Sequence, residues 1–303
     1  MRPTLAAVTG AFGYSGRAVA RLLIDRGWGV RNLTGHPDRP DPFGGRVEVA
    51  PLALDDPAAL RRSLAGAGVL VNTYWVRFSH GGQTHARSVA RSRALFEAAR
   101  DAGVGRIVHV SITNPAADSR LPYFRGKAEV ESALRATGVP HSIVRPAVLF
   151  GARDVLLNNI AWAARRLPVF GIPRGEFGLQ PIHVEDFARL LAAHTQATGD
   201  HVLDAVGPEA PSYRDLVAQV ARAVGARSRI VALPRWTVHA AAWVLGQITG
   251  DVVLTRDEVD GLADGLLVSK GAPTGTTKLS DWLQTERDSL GREWACELAR
   301  HYR

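Results

Sequence analysis

Short runs of β-branched and aliphatic residues alternate with stretches of helical periodicity through the first half of this chain, and that alternation most constrains its fold. A strand–helix–strand rhythm builds a parallel sheet with helices on both faces. Strands are predicted at Leu5–Val8, Val30–Leu33, Val47–Val49, Val69–Asn72, Ile107–Ser111 and His141–Val144. Helices are predicted between them near Ser15–Asp25, Pro57–Leu64, Thr84–Ala102 and Tyr123–Thr137. Strands that read as unbroken apolar runs, as Leu5–Val8 does, are what burial on both faces requires. The first helix groups Val19, Leu22 and Leu23 on one face and stops at Gly27, a common residue type just past a helix end. The expected fold class is α/β, a doubly wound parallel sheet.

After Arg145 the rhythm loosens. Val155–Arg166 reads as a helix, followed by a Pro/Gly-rich loop containing Pro168, Gly171, Pro173, Gly175 and Gly178. Val184–Thr195 reads as a helix, His201–Val206 as a late strand, and Tyr213–Val224 as a helix closed by Gly225. Trp236–Ile248, Thr255–Leu267 and Thr285–Tyr302 carry helical periodicity without a chemical signature. The expected division is a main domain over 1–155, to which 181–207 returns. A smaller, mostly helical portion comprises 156–180 and 208–303.

Composition removes several classes of function. With 46% apolar and 22% charged residues in 303, the chain is neither disordered nor fibrous. Its one cysteine, Cys296, excludes an intrachain disulfide and a cysteine-rich zinc module. The apolar run Ala240–Leu245 is too short to span a bilayer. The segment Leu5–Val8 before a glycine is no secretory signal, so a cytoplasmic chain with no membrane partner is expected. Net charge is +8 and the pI about 10.3, but the arginines are scattered and lysine stands only at 127, 270 and 278. No basic tract or nucleic-acid motif accompanies the charge, which suits an anionic small ligand better. The ten histidines are dispersed, and His80 and His85 lack a carboxylate spacing that suggests zinc, so no metal is expected.

The first predicted strand runs into Thr9-Gly10-Ala11-Phe12-Gly13-Tyr14-Ser15-Gly16-Arg17. Gly10 permits a tight turn, Gly13 lets backbone approach a pyrophosphate, and Gly16 allows the helix to pack closely on the strand. The helix N-terminus then offers N–H groups and a positive dipole end to phosphates. Gly10, Phe12, Gly13, Tyr14 and Arg17 are therefore candidate dinucleotide contacts. A carboxylate closing the second strand would select NAD through the ribose 2′-hydroxyl. This strand ends instead in Asn32-Leu33-Thr34-Gly35-His36-Pro37-Asp38-Arg39. Arg17, His36 and Arg39 are available to a 2′-phosphate, so NADP is preferred over NAD, with Asp38 the residue that could reverse the preference. Asp55 is placed either to meet the adenine ring or to cap the helix that begins at Pro57.

Tyr123 and Lys127 stand at i and i+4, on one face of a helix about one turn apart. A nearby ammonium favours the phenolate, and a tyrosine so tuned passes a proton to or from a substrate oxygen. The same lysine can bond the nicotinamide ribose. Tyr74, Trp75 and Phe78 follow the fourth strand, where they either line an apolar pocket or fill core. Trp162, Phe170, Trp236 and Trp243 read as core.

Taken in order, TGAFGYSGR (Thr9 to Arg17), LDDPAAL (Leu54 to Leu60), RIVHVS (Arg106 to Ser111), YFRGKAEVE (Tyr123 to Glu131), RPAVLFG (Arg145 to Gly151) and IHVEDFA (Ile182 to Ala188) resemble the extended, atypical branch of the short-chain dehydrogenase/reductase superfamily, in its epimerase-like and NmrA-like groups. The resemblance covers residues 5 to about 225. It implies a Rossmann-like fold with Tyr123 as acid/base and Lys127 its partner. It also places Asn72 along the cofactor and Pro146 to Val148 near the nicotinamide, and makes His183 to Asp186 structural. The superfamily's hydroxyl donor meets a departure here, because Val110-Ser111-Ile112-Thr113-Asn114 sets isoleucine in the simplest alignment of that slot. Ser111 or Thr113 supplies the hydroxyl, both pointing to one side if the strand continues through them.

The expected activity is NAD(P)(H)-dependent hydride transfer between nicotinamide and a carbonyl or alcohol carbon of a small-molecule substrate. The alternatives are a nucleotide-sugar epimerase or dehydratase with retained cofactor, and a non-catalytic NAD(P)-binding sensor or assembly protein. A homodimer is a habit of the superfamily, and no specific nucleic-acid partner is expected.

Overall fold

The elements follow one another as β1 (Leu5–Thr9), α1 (Tyr14–Asp25), β2 (Gly29–Thr34), β3 (Val47–Pro51), α2 (Pro57–Leu64), β4 (Val69–Asn72), α3 (His85–Asp101), β5 (Arg106–Val110), α4 (Pro122–Ala136) and β6 (His141–Pro146) in a computed structural model that describes residues 5–301. Then come β7 (Val148–Phe150), α5 (Leu156–Arg166), β8 (Val169–Pro173), β9 (Pro181–His183), α6 (Val184–His194), β10 (His201–Ala205), α7 (Tyr213–Ala223) and β11 (Arg229–Leu233). The chain finishes with α8 (Arg235–Thr249), α9 (Arg256–Ala263), α10 (Leu279–Glu286) and α11 (Glu297–His301). Two compact units result, one running to Pro146 and taking in Val184–Asp204, the other made of Ala147–His183 and Ala205 onward.

The first unit is built on a seven-stranded sheet in the order β10-β6-β5-β4-β1-β2-β3. The pairs from β3 to β6 are parallel, with Val8 opposite Asn32 on one side and Val71 on the other. This is a Rossmann-like α/β sheet. Its strand order reverses between β1 and β4, which makes a crevice at their carboxyl ends. Leu33, Leu70, Ile107 and Ile143 from the strands interlock with Leu60, Leu64, Leu95, Phe96, Val130 and Leu134 from α2, α3 and α4. Each such side chain, fully withdrawn from water, contributes roughly 1.5–3 kcal/mol. Helices α1 and α6 pack against each other.

The second unit holds two parallel two-stranded ribbons, β7–β9 and β8–β11. Its core joins Phe150, Leu157 and Ile160 to Leu216, Val220, Leu279 and Trp282. Four of its strands were not expected. β7 and β9, of three residues each, are too short to stand out, β8 lies inside the Pro168–Gly178 segment read as loop, and β11 was not read from the sequence. The helix expected over Thr255–Leu267 stops at Ala263, before Gly265 at φ +70°. Of the helix expected over Thr285–Tyr302, only the last residues of α10 and the short α11 are helical, with a turn at Gly291 between them and Tyr302 outside the described residues. Gly291 has φ +66°, and a Cβ there would lie 2.4 Å from the backbone nitrogen of Trp162, so only glycine lets the tail turn against α5. Trp162 and Phe170 are partly buried, but Trp236 and Trp243 are 71% and 67% exposed, against the expectation of core.

Candidate active site

The glycine loop closes β1 as a tight turn. Gly10 takes φ +65°, and its carbonyl accepts the Gly13 N–H at 2.8 Å. A Cβ on Gly16 would fall 2.2 Å from that carbonyl oxygen, so α1 approaches the turn more closely than any side chain permits. The side-chain oxygen of the fully buried Asn32 accepts the Ala11 N–H at 2.8 Å and ties the loop to β2. The N-terminus of α1 begins at Gly13 without a side-chain cap and without an acidic residue in its first turn. Its N–H groups and dipole therefore suit a pyrophosphate, and the residues present fit a dinucleotide. Phe12 packs its ring 6.2 Å from that of Phe43, while Tyr14 and Arg17 are half-buried on the first turn of α1.

The turn after β2 carries His36 and Arg39 together, the Arg39 N–H donating to the His36 carbonyl at 3.3 Å. Partial burial and the Arg39 charge hold His36 below its ordinary pKa. Asp55 is exposed and pairs with Arg91 at 2.5 Å and Arg87 at 3.1 Å, both on α3. The hydrogen bond from Arg91, aided by Arg87, lowers its pKa to about 2. Asp55 does not cap α2. Asp56 does, accepting the Ala58 and Ala59 N–H groups at 3.0 Å.

At the switch point Thr9 and Asn72 lock β1 to β4. The Thr9 hydroxyl donates to Asn72 Oδ1 at 3.1 Å and accepts the Thr73 N–H at 2.7 Å, and Asn72 Nδ2 meets His109 Nδ1 at 3.1 Å. Asn72 is fully buried, so its side chain serves the strand ends. Burial, with Lys127 and His141 adding to it, pushes His109 well down, so its ring is neutral.

Tyr123 and Lys127 share a face of α4, and Trp75, on the loop after β4, packs against both. The Trp75 ring lies edge-on to Tyr123 at 5.9 Å and stacks on His85 at 5.9 Å, while the Lys127 ammonium nitrogen sits 4.6 Å over it. Gly126 makes this possible, since a Cβ there would meet Trp75 Cη2 at 3.0 Å. Lys127 is only 2% exposed and donates to the Val110 carbonyl at 2.9 Å. Burial pushes its pKa down to about 7, against the opposing pull of Glu131. Trp75 is thus partly buried beside the site and Phe78 is buried.

β5 ends at Val110, yet Ser111 N–H and Thr113 N–H continue its ladder onto the Val144 and Pro146 carbonyls at 2.8 and 3.0 Å. Both hydroxyl candidates are buried. Ser111 donates to Glu131 Oε1 at 2.6 Å, and that carboxylate also takes two hydrogen bonds from Arg145, at 2.8 and 2.6 Å, and one from Arg135 at 3.1 Å. Burial raises the Glu131 pKa, but hydrogen bonds from Arg145 and Ser111 outweigh it and hold the carboxyl below its usual range. Ile112 is buried. Pro146 ends β6, and Val148 pairs with Pro181 in the second unit. The roles of Asn32, Gly126, Glu131 and Arg145 were not anticipated from the sequence, whereas Trp75 was read as either pocket lining or core. Glu131 and Arg145 lay inside two of the quoted motifs, the only trace of their pairing.

The sequence profile of a family described as NAD(P)H-binding matches residues 10–157. A ceramide reductase of Caulobacter vibrioides is 31% identical over 240 residues, covering 75% of this chain and 73% of that protein. A (4-alkanoyl-5-oxo-2,5-dihydrofuran-3-yl)methyl phosphate reductase of Streptomyces griseus is 32% identical over 226 residues, covering 72% of this chain and 73% of that one. The solved NADPH-dependent quinone oxidoreductase of Escherichia coli shares the fold, with TM-score 0.75 at 22% identity over 92% of this chain and 99% of that one. With the switch-point crevice, the glycine loop and these relatives, the class is that of NAD(P)-dependent oxidoreductases. The chain belongs to the extended, atypical branch of the short-chain dehydrogenase/reductase superfamily, with NmrA-like and epimerase-like neighbours.

Proposed function

We propose that this protein is an NADPH-dependent reductase of carbonyl compounds in which Tyr123 delivers the proton. The observation that carries the reading is the Tyr123–Lys127 register on α4, with Lys127 anchored to the carboxyl end of β5 in the same unit as the uncapped glycine loop. When bound, the nicotinamide supplies hydride to the carbonyl carbon.

The protein's own residues do the rest. The loop from Gly10 to Arg17 holds the pyrophosphate, and Arg39, with Arg17 and His36, takes the 2′-phosphate. Tyr123 donates its phenolic proton to the substrate oxygen. Lys127, with its pKa brought down to about 7, interconverts between ammonium and amine near neutral pH and supports that proton's return. Ser111, whose hydroxyl donates to Glu131, or Thr113 supplies the hydroxyl beside the substrate oxygen. Trp75 and His85 hold the Tyr123 ring edge-on and exclude water from its flank.

The test is a titration with NADPH and NADH, followed by NADPH consumption across a panel of aldehydes, ketones and quinones. Tighter NADPH binding with turnover of at least one carbonyl class supports the reading. Tighter NADH binding overturns the 2′-phosphate assignment. A second reading, a non-catalytic dinucleotide binder, draws on the burial of Lys127 under Trp75, and it predicts tight NADPH binding with no turnover.

A further inference from the structure

Helix α8 inverts the ordinary pattern of a surface helix, which turns its charged side to water. Its inward side is the small-residue side, where Val238, Ala242 and Gly246 are buried. Its outward side carries Trp236, Trp243, Val244 and Ile248, at 71%, 67%, 51% and 74% exposure. At 3.6 residues per turn, the exposed positions from Trp243 through Trp236 and Ala240 to Ile248 and Ala241 sweep an arc of about 160°. Within that arc the polar side chains are Gln247 and the partly exposed Thr237, and there is no charge.

We propose that this face of α8 lies in the headgroup region of an anionic lipid bilayer. Indole rings favour that region because one edge is apolar and the other donates a hydrogen bond to water or headgroup. The surrounding charge is complementary. From Leu216 to Gly250 the chain has arginine at 222, 227, 229 and 235, histidine at 239, and no aspartate or glutamate, Arg235 being paired with Asp260 on α9 at 3.1 Å. Arg222, Arg227 and Arg229 are exposed. The fifteen residues of α8 make a rod about 22 Å long, too short to cross a bilayer but enough to lie flat in its surface. No helix among the described residues is long and apolar enough to cross a membrane. A second copy is a poorer occupant, because a strip of about 22 by 12 Å offers roughly 260 Å², far below the ~800 Å² per partner that a stable dimer buries. The proposal goes against the expectation of no membrane partner and stands independently of the reductase reading.

The experiment is co-sedimentation of the full chain with large vesicles of phosphatidylcholine alone and of phosphatidylcholine with phosphatidylglycerol, at low and high salt. Light scattering without lipid is run beside it. The expected result is binding to the phosphatidylglycerol vesicles, weakened by salt. A Trp236→Ser/Trp243→Ser variant should bind at least tenfold more weakly with its thermal midpoint unchanged, since both side chains already face solvent. An Arg227→Glu/Arg229→Glu variant should lose the preference for anionic vesicles. Absence of vesicle binding, equal binding by the tryptophan variant, or a lipid-free dimer that the variant dissociates would each overturn the proposal.

Discussion

Replacing Gly16 by alanine adds one methyl group at the most crowded point of the glycine loop. The new Cβ would stand 2.2 Å from the Gly10 carbonyl oxygen, 2.8 Å from its carbon and 3.2 Å from Ala11 Cα, all backbone atoms that no rotamer change can move. Ordinary contact begins near 3.4 Å, so α1 and the turn must separate by about 1 Å. Overpacking of this kind costs about 1–3 kcal/mol, partly offset by the ~1 kcal/mol that alanine gains over glycine within a helix. A net loss of up to about 2 kcal/mol lowers the midpoint of a chain this size by no more than roughly 3 °C. The Gly10 oxygen also anchors the Gly13 N–H, so displacing this phosphate-facing backbone weakens NADPH binding. The comparison is Gly27→Ala, whose glycine has φ +80° and nothing within 4 Å of an added Cβ. That variant loses about 1–2 kcal/mol through backbone strain alone and leaves the crevice intact. Thermal unfolding and NADPH titration of the two variants separate stability from affinity. Wild-type NADPH affinity in Gly16→Ala would refute the assignment of this loop to the dinucleotide.

Two further substitutions probe the buried charges. Glu131→Ala removes the common partner of Ser111, Arg145 and Arg135 and leaves Arg145 half-buried without its clamp, so urea denaturation should show a loss of about 3 kcal/mol. A loss below about 1 kcal/mol would mean that the cluster is not structural. Lys127 has an unfolded-state pKa near 10.5 and a folded one of about 7, so between those values the unfolded chain holds a proton that the native protein has shed. Stability should therefore rise with pH across that window, by up to about 5 kcal/mol, and be flat with respect to this group below pH 7. In Lys127→Met this rise should vanish, as urea midpoints at pH 7 and pH 10 will show, and equal rises in both proteins would contradict the sequestered amine.

The nucleotide-binding half was legible because its signals are local. β4 and α2 run over the same residues as expected, since Val69–Asn72 is an unbroken apolar run and Pro57 fixes a helix start. Gly10, Gly13 and Gly16 announce a turn whose tightness follows from three missing side chains. What the sequence concealed depends on long-range partners. Glu131 reads as one more solvated helix position until Arg145, from a strand beyond the helix, arrives at 2.6 Å. Trp75 covers Lys127 only because Gly126, on a different element, leaves space for its ring. Ser111 and Thr113 share one side of an extended segment, so periodicity could not divide them, and the carboxylate that engages Ser111 comes from α4. β7 and β9, three residues each, carry too little periodicity to register. The outward tryptophans of α8 were misread because an indole is more often buried than displayed.

The account rests most directly on the hydroxyl at 123. Reduction of a carbonyl substrate by NADPH should be measured for the wild type and for Tyr123→Phe, with NADPH affinity determined for both. Phenylalanine keeps the ring against Trp75 and His85 and removes only the donor, so affinity should stay within about twofold while kcat/KM falls at least ~100-fold. Equal turnover by the two proteins at equal NADPH affinity would contradict proton delivery by Tyr123.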